Sequence, residues 1–378
     1  MKTDKYKTWI EISSVGIRNN IKNTRECIGE NILLMAIVKG NAYGLDIEKM
    51  TYITKEIVDW YGVDNIEEAN IVRKNSNKPI LILNYTTADK LAEIVKKKYS
   101  IVAYDYNTVK LLSKLSTENR KAKIHIKIDT GLARLGLTLE ELPNFIKSIK
   151  KLPNIKIEGL YTHYARLMNE NGCDIYQYQL NKFHEAEKKL QELNINVDIK
   201  HTASSMAAIL YEKTRLDMVR IGTLFYGLWG TRDVASLVKR KGHNIKLYPV
   251  LSFKTRIVNI KELKRGMSAG YMSSWTAKKN TKLAIIGAGY YDGIDRRYAE
   301  KGCVLIKGQF AKIVGKIAMN TFMVDASKIK NIKIGETVVI IGRSRKNEIT
   351  AYNIAESMGT STYEITTRIN PLIPRIIV

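Results

Sequence analysis

Lys39 directly follows the apolar segment 35–38 and precedes a turn that contains Gly40, Asn41 and Gly44. Burial of a lysine at the end of a strand opposes its charge, because the ammonium group loses its hydration. Chemistry that needs a neutral amine can use this effect, and Schiff-base formation with an aldehyde cofactor is the main example. The alternative is a lysine whose ammonium reaches solvent at the end of its strand. The rest of the chain favours the chemical interpretation.

Several other apolar segments also end in residues that could bind a ligand or move a proton. These segments are 126–136, with Lys127 and Arg134; 158–163, which ends in His163; 201–205, which runs from His201 to Ser205; and 218–223, with Arg220. In a barrel of parallel strands such residues lie just beyond the strand ends, so they would meet at one mouth. The Ser205 hydroxyl and the amides of Gly222 and Thr223 would make a phosphate cradle there.

Eight short apolar segments could form the strands of such a barrel. They are residues 33–38, 60–63, 80–83, 101–103, 124–128, 157–162, 198–202 and 218–221. Amphipathic helical patterns lie between them; in residues 181–193, for example, Phe183, Ala186, Leu190 and Leu193 form one apolar stripe. This alternation predicts a (β/α)8 TIM barrel over residues 10–235. Near residues 228–241 the pattern breaks, and we expect a loop.

The remainder of the chain has a different sequence pattern. Short strand patterns occur at residues 250–260, 283–288, 303–306, 310–314, 322–325 and 337–341, separated by turns with Gly, Asn and Lys. They predict a mainly antiparallel β-domain over residues 240–378. Residues 1–12 could add one strand, formed by residues 8–12. Residues 352–358 read as a helix, and residues 373–378 as extended chain.

Composition limits the classes of function. The 378 residues favour two domains, and the net charge is +25, from 62 Lys and Arg against 37 Asp and Glu. The lysines are spread along the chain without interleaved aromatic residues, which argues against nucleic-acid binding. Attraction to an anionic membrane surface, at ~1 kcal/mol per basic residue near it, is a better use of the charge. A lysine-rich codon bias is the alternative.

Other features suggest a cytoplasmic location. No apolar stretch approaches the ~20 residues that span a bilayer, and we interpret the polar first residues as no signal peptide. Cys27, Cys173 and Cys303 are odd in number and far apart, so we expect neither a disulfide framework nor a zinc site.

The ordered segments resemble the alanine racemase family along essentially the whole chain. The resemblance implies a pyridoxal 5′-phosphate (PLP) enzyme with a (β/α)8 barrel and a C-terminal β-domain, acting on a small amino acid as a homodimer with shared active sites. Lys39 matches the lysine that binds PLP covalently and acts as a base on one face of the substrate Cα. Tyr271 matches the opposite base, which the partner subunit supplies. Racemisation needs two bases, because a proton leaves one face and another arrives on the other.

The resemblance also implies roles for other residues. Arg220 matches the arginine that faces the pyridine nitrogen, and His163 the histidine beside it. Arg134 matches the arginine that contacts the cofactor's phenolic oxygen and the substrate carboxylate. Lys127 matches a lysine that many members carry as a carbamate; the alternative is an ion-paired lysine. The residues that match phosphate ligands are Tyr43, Ser205, Gly222 and Thr223. Without the resemblance, Tyr271 reads as a half-buried hairpin aromatic.

Two departures from the family pattern concern the substrate. Many members have Met-Asp where this chain has Met319 and Asn320, and a tyrosine where it has Pro371, preceded by Asn370. We expect the pocket to accept serine as well as alanine, with Asn370 hydrogen-bonded to the serine hydroxyl. This pocket resembles that of VanT-type racemase domains of vancomycin resistance. Those proteins carry an N-terminal membrane portion, so a tether to the cytoplasmic face of the membrane would suit the positive charge.

Three functions other than a serine/alanine racemase could fit this sequence pattern. An ordinary alanine racemase would have little serine activity. Non-catalytic PLP-binding barrels lack the β-domain and its tyrosine, whereas this chain has both. A related decarboxylase would carry a cysteine–aspartate motif in its β-domain, and Cys303 lies on a predicted strand outside any such motif.

Overall fold

Buried strands alternate with helices along the first part of the chain. In this computed structural model, which describes residues 4–168, 174–229, 232–299 and 301–378, strand β1 (Trp9–Ile12) is followed by eight short parallel strands. They are β2 (Leu33–Ile37), β3 (Trp60–Val63), β4 (Ile80–Ile82), β5 (Ser100–Ala103), β6 (Ala122–Lys127), β7 (Ile155–Tyr161), β8 (Ile199–His201) and β9 (Met218–Ile221). Cys173, considered above, lies outside the described residues.

The eight parallel strands close into a barrel. Their order is β8-β7-β6-β5-β4-β3-β2-β9, and a parallel bridge between Ser204 and Arg220 joins the two ends. Strands that are buried on both faces read as nearly continuous apolar runs, which is why each predicted segment overlaps an observed strand. The predicted (β/α)8 barrel is confirmed.

Helices with one apolar face accompany the barrel strands. Ser14–Ile28 precedes β2, and those that follow a barrel strand are Ile47–Thr54, Ile66–Asn75, Leu91–Lys97, Tyr106–Leu115, Leu142–Ile149, Tyr176–Glu192 and Ser205–Leu210. Side-chain caps start several of them. The carboxylate of Asp105, for example, accepts hydrogen bonds from the amides of Asn107 and Thr108, and such a cap contributes about 1 kcal/mol. None of the described helices is long and apolar enough to cross a membrane.

The prediction of a loop at residues 228–241 is wrong, because a helix occupies Arg232–Arg240. Val234, Leu237 and Val238 have the i, i+3, i+4 spacing of one helix face, and Val238 is buried against the core. This spacing could have indicated the helix, but the glycine and basic residues in the segment favoured a loop.

The second part of the chain is a nine-stranded, mainly antiparallel sheet with a two-stranded ribbon. Its strands are β10 (Leu251–Leu263), β11 (Ser268–Ala269), β12 (Trp275–Thr276), β13 (Thr281–Ile286), β14 (Cys303–Ile306), β15 (Gln309–Val314), β16 (Phe322–Asp325), β17 (Thr337–Ser344), β18 (Asn347–Ile349) and β19 (Arg375–Ile377). β1 joins this sheet, antiparallel to β10 and parallel to β19. Helices Ala351–Met358 and Thr362–Thr367 precede β19.

The C-terminal segment packs against the turn that follows β2. Arg375 is buried, and its guanidinium donates to the carbonyl of Gly44 at 2.9 Å. A Cβ at Gly44 would lie 2.1 Å from the carbonyl oxygen of Thr366. The barrel mouth and the β-domain are therefore in direct contact at Gly44.

We expect Gly44→Ala to destabilise the protein much more than Gly359→Ala. Both glycines have left-handed backbones, with φ of 87° and 66°, and alanine there costs ~1–2 kcal/mol. Only Gly44 is also obstructed, whereas nothing lies within 4 Å of a Cβ at Gly359. Overpacking should add ~1–3 kcal/mol for Gly44→Ala. Urea unfolding of both variants checks this, and equal losses would contradict the close approach.

Candidate active site

One cavity of about 350 Å³ lies at the carboxyl ends of the barrel strands. The predicted site residues that line it are Lys39, Tyr43, Lys127, Arg134, His163, Ser205, Arg220, Gly222 and Thr223. They come from five different strand ends, and parallel strands bring those ends to one mouth. Lining residues that we did not predict are Tyr161, Ser204, Met206, Tyr363 and Thr367, together with the apolar Ile37 and Leu83.

The turn after β2 directs both Lys39 and Tyr43 into the cavity. Gly40, Asn41 and Ala42 have φ of 64°, 53° and 54°, so the turn is left-handed. A left-handed conformation costs a residue other than glycine ~1–2 kcal/mol. Hydrogen bonds offset this strain, because the Asn41 amide donates to the Glu68 carboxylate and its side-chain oxygen accepts from a later amide. The side chains of Lys39 and Tyr43 therefore both extend from one short turn that hydrogen bonds hold in place.

Neutral hydrogen-bond donors gather on one side of the cavity. The Gly222 amide donates to the Ser205 hydroxyl oxygen at 3.0 Å. A Cβ at Gly222 would lie 2.8 Å from the Tyr43 hydroxyl oxygen, so only glycine leaves this space open. Burial and the neighbouring Tyr363 raise the pKa of Tyr43 to about 12, so its phenol keeps its proton and can donate to an anion. These groups have the character of a phosphate cradle.

The Arg220 guanidinium is buried but well supplied with acceptors. One terminal nitrogen donates to His201, at the ring Nδ1 (2.8 Å) and the carbonyl (2.9 Å). The other donates to the carbonyls of Thr162 and Thr202 and contacts the His163 Nδ1 at 3.4 Å. Burial lowers the pKa of Arg220 to about 10, which still leaves it protonated at neutral pH. In the described part of the chain no group accepts from its Nε–H, so this donor is left for a ligand.

Positive charge dominates the cavity, and none of its lining residues is acidic. Burial, with the charges of Arg134, Arg220 and Lys39, lowers the pKa of Lys127 to about 8. Burial and the same surroundings, Arg220 first, lower the pKa of His163 to about 3, so this histidine is neutral. A ligand that carries several negative charges fits such a cavity.

These features fit PLP. The cradle suits its phosphate, the Arg220 Nε–H suits a ring nitrogen acceptor, and Lys39 suits its aldehyde. Tyr161 adds an observation, because its hydroxyl is buried and has no hydrogen-bond partner among the described residues. A bound group would satisfy it. Tyr161 is the last residue of β7 and stands two residues before His163, so the two-residue period of extended chain could have indicated it.

Tyr271, Met319 and Asn320 do not line the barrel cavity of their own chain. They lie on the β-domain, where Tyr271 is 74% exposed in the turn between β11 and β12. The segment that leads to Met319 packs against the same turn, since the Lys316 amide donates to the Ser274 hydroxyl. One exposed face thus carries all three predicted residues.

The role predicted for Asn370 disagrees with the structure. Its side-chain amide donates to the carbonyl of Tyr291 at 3.1 Å, and its oxygen accepts from the amide of Leu372 at 2.9 Å. Both ends of the side chain therefore hold backbone, and neither Asn370 nor the exposed Pro371 lines the cavity. Sequence alignment identifies an equivalent position, but the local turn decides where its side chain points.

The C-terminal residues that do reach the cavity are Tyr363 and Thr367. They are four residues apart on helix Thr362–Thr367, a spacing that places both on one face. The Tyr363 ring lies 6.2 Å from the Tyr43 ring, edge to face. We did not predict this helix, which lies in a segment interpreted only as the approach to the extended C-terminus.

Comparison with known proteins gives a consistent result over the whole chain. The family models described as "Alanine racemase, N-terminal domain" and "Alanine racemase, C-terminal domain" match residues 12–229 and 250–377. An alanine racemase of Leptospira interrogans is 36% identical over 380 residues, with 99% of this chain and 97% of that protein covered. Alanine racemase 1 of Caldanaerobacter subterraneus is 33% identical over 375 residues, with coverage of 98% and 94%.

Solved structures give the same picture. The alanine racemase of Clostridium difficile 630 has a TM-score of 0.91 at 31% identity, with 99% of this chain and 96% of that chain covered. An alanine racemase of Bacillus anthracis with bound L-Ala-P has a TM-score of 0.90 at 30% identity, with coverage of 98% and 95%.

We expect Tyr161→Phe to leave the stability of the cofactor-free protein unchanged or raised, because it removes a buried hydroxyl that lacks a partner. Tyr226→Phe is the matched control, since the buried Tyr226 hydroxyl donates to the Ile37 carbonyl at 2.8 Å; it should lose ~1 kcal/mol. Affinity for PLP should fall about fivefold in Tyr161→Phe. Thermal unfolding and PLP titration measure both effects. A stability loss equal to that of the control would show that the hydroxyl is already satisfied.

Proposed function

Because this chain belongs to the alanine racemase family, whose members are PLP-dependent enzymes, we propose that it interconverts L- and D-alanine. The observation that carries this proposal is the convergence of Lys39, Arg220 and the neutral phosphate donors on one cavity. When bound, PLP supplies an electron sink for the negative charge that remains when the Cα proton is removed. The protein supplies binding, orientation and the proton transfers.

Three groups orient the cofactor and the substrate. Ser205, whose hydroxyl oxygen accepts from the Gly222 amide, would hold the phosphate together with Tyr43 and the Thr223 amide, and Gly222 would leave space for it. Arg220 would offer its Nε–H to the ring nitrogen and keep its own proton, because its pKa of about 10 lies above neutrality. An arginine in this position would donate a hydrogen bond without giving up its proton, which would limit how far PLP delocalises charge into its ring. Arg134 holds the substrate carboxylate.

Two bases move the proton. The Lys39 amine removes or returns a proton on one face of Cα, and the partner subunit's Tyr271 acts on the other face. Tyr271 is 74% exposed in its own chain and lies outside the barrel cavity of that chain. A tyrosine so placed is available to a neighbouring molecule, which supports a homodimer with shared sites.

Lys127 completes the site as a carbamate. Its pKa of about 8 leaves a fraction of the amine neutral at neutral pH, and a neutral amine adds CO2 with release of one proton. The product is an anion beside Arg134, in a cavity with no acidic lining residue. This anion would hold Arg134 in place for the substrate.

Serine is a second candidate substrate. Pro371 leaves out the bulky phenol of many family members, and the hydroxyl-bearing Thr367 lines the cavity. The relatives described above are alanine racemases, so we propose alanine as the principal substrate. A function in vancomycin resistance and attraction to the cytoplasmic face of the membrane remain predictions from sequence resemblance and charge.

Subunit mixing tests the shared site. Lys39→Ala and Tyr271→Phe should each lose racemase activity by at least about a hundredfold as homodimers. A mixed dimer of the two variants keeps one intact site, so random exchange should restore about a quarter of the wild-type activity. Tyr52→Phe, on another exposed tyrosine, should retain full activity. Absence of recovery in verified mixed dimers would place Tyr271 in its own chain's site, or outside the mechanism.

Side-by-side rates with L-alanine and L-serine test the substrate. We expect faster turnover of alanine, with measurable turnover of serine. Thr367→Ala should lower serine turnover more than alanine turnover, because Thr367 lines the cavity and its hydroxyl, which donates to the Tyr363 carbonyl, can still accept a hydrogen bond from the serine hydroxyl. Asn370→Ala should change both rates equally, since its side chain holds backbone. A selective loss of serine turnover in Asn370→Ala would restore the role first predicted for it.

A further inference from the structure

A chain of buried polar side chains runs through the barrel interior from Arg220 to Glu158. The Arg220 guanidinium lies 2.8 Å from His201 Nδ1, and His201 Nε2 lies 2.9 Å from His125 Nδ1. His125 Nε2 lies 3.2 Å from a Glu158 carboxylate oxygen. All four side chains are at most 4% exposed. The function proposed above uses only the arginine.

The direction of every hydrogen bond in this chain can be deduced. A guanidinium only donates, so His201 Nδ1 must accept and the ring must carry its proton on Nε2. That N–H donates to His125 Nδ1, which puts the His125 proton on Nε2 as well. This second N–H donates to the Glu158 carboxylate. A proton on His201 Nδ1 would face the Arg220 donor, and a proton on His125 Nδ1 would face the His201 Nε2–H, so both rings must be neutral.

Glu158 anchors the far end as an ionised carboxylate. Its oxygens also accept hydrogen bonds from the Ser100 hydroxyl and from the Lys123 ammonium, the latter at 3.0 Å. Burial alone would raise the pKa of Glu158, but the hydrogen bonds from His125, Ser100 and Lys123 outweigh it and lower the pKa to about 2. The chain thus runs from a fixed cation to a fixed anion.

The surrounding residues hold both rings in these orientations. The Tyr161 ring stacks on His201 at 4.7 Å with planes 2° apart, and Trp60 packs edge-on against His125 at 5.6 Å. Gly159 makes room for the His125 ring, because a Cβ there would lie 2.2 Å from its Nδ1. Any other residue at position 159 would displace the ring, so the space is specific to this contact.

The charges that face the two rings favour their neutral forms. Burial, then Arg220 and His125, lowers the pKa of His201. Burial also lowers the pKa of His125, against the influence of Glu158 and with that of Lys123 and Arg220. Lys156, on the same strand as Glu158, pairs with Asp198 instead.

We propose that Glu158 is a positioning residue for Arg220: through two neutral histidines it holds the guanidinium in the orientation that presents Nε–H to the cavity. A neutral imidazole that accepts at Nδ1 carries its proton on Nε2, and a buried N–H without an acceptor is costly; Glu158 supplies the acceptor at the end of the chain. The proposal rests on the proposed function only in taking the PLP ring nitrogen as the group that accepts from the Arg220 Nε–H. The hydrogen-bond directions are independent of it.

The first test uses the cofactor-free protein, with ring nitrogens observed by 15N NMR. The chain has five histidines, and His125→Gln and His201→Gln assign the two signals. We expect both rings to be neutral and protonated on Nε2 across neutral pH. A proton on Nδ1, or on both nitrogens, of either ring would overturn the proposal. This outcome does not depend on whether the protein is a racemase.

The second test compares Glu158→Gln with Glu187→Gln. Glu187 is a matched control, because it also accepts from a histidine and a lysine, His184 and Lys200, but has no contact with Arg220. In Glu158→Gln one charged acceptor oxygen is replaced by an NH2 group, which faces either the His125 Nε2–H or the Lys123 ammonium, so the His125 and His201 signals should shift or split. With PLP bound, kcat should fall about tenfold or more, the scale of one hydrogen bond to a charged group, with little change in KM. Glu187→Gln should change neither.

Unchanged histidine signals and kcat in Glu158→Gln would overturn the proposal. If that variant does not fold, Ser100→Ala removes one donor to Glu158 while keeping the carboxylate. It should then preserve the Nε2–H forms of both rings, and their loss would contradict Glu158 as the anchor. If both wild-type rings are neutral and protonated on Nε2 but the protein does not racemise alanine, only the proposed function is contradicted.

Discussion

A buried guanidinium must have nearly every N–H paired, and this requirement organises the barrel mouth around Arg220. Its partners are the Thr162, His201 and Thr202 carbonyls and a histidine ring, which belong to the ends of two neighbouring strands. Arg220 itself stands on β9, where the barrel closes through a single bridge to Ser204. The charge that faces the cavity therefore also joins the last strands, so the geometry of the site and the closure of the barrel depend on the same hydrogen bonds.

The turn that carries Lys39 depends on a second constraint, which comes from the β-domain. Two hydrogen bonds hold its left-handed backbone. The Glu68 carboxylate accepts from the backbone amide of Asn41, and Arg375 donates to the carbonyl of Gly44. Strain of this kind persists only where the surrounding structure opposes its release. The two parts of the chain thus cooperate within one molecule before any partner contributes a residue, and the lysine is fixed where they meet.

Electrostatics gives the cavity its preference for an anionic ligand. The cavity is lined by Lys39, Lys127, Arg134 and Arg220 and by no acidic residue, and burial weakens the screening between these charges. The two histidines closest to Arg220, His163 and His201, are neutral because burial and that charge both oppose protonation. A fixed cation surrounded by neutral acceptors can offer a hydrogen bond without giving up a proton. The net charge of the whole chain has no comparable local consequence.

The sequence by itself determined the barrel, because strands buried on both faces must be apolar and parallel strands must end at one mouth. It also determined most of the cavity lining, since Lys39, Lys127, His163 and Arg220 lie at or just beyond the ends of those strands. Tertiary structure alone decided the rest. The hydrogen bonds of Asn370 and the approach of Tyr363 depend on how the C-terminal segment folds back. The chain from Arg220 to Glu158 joins residues that are distant in sequence, and only closure of the barrel brings their side chains within hydrogen-bonding distance.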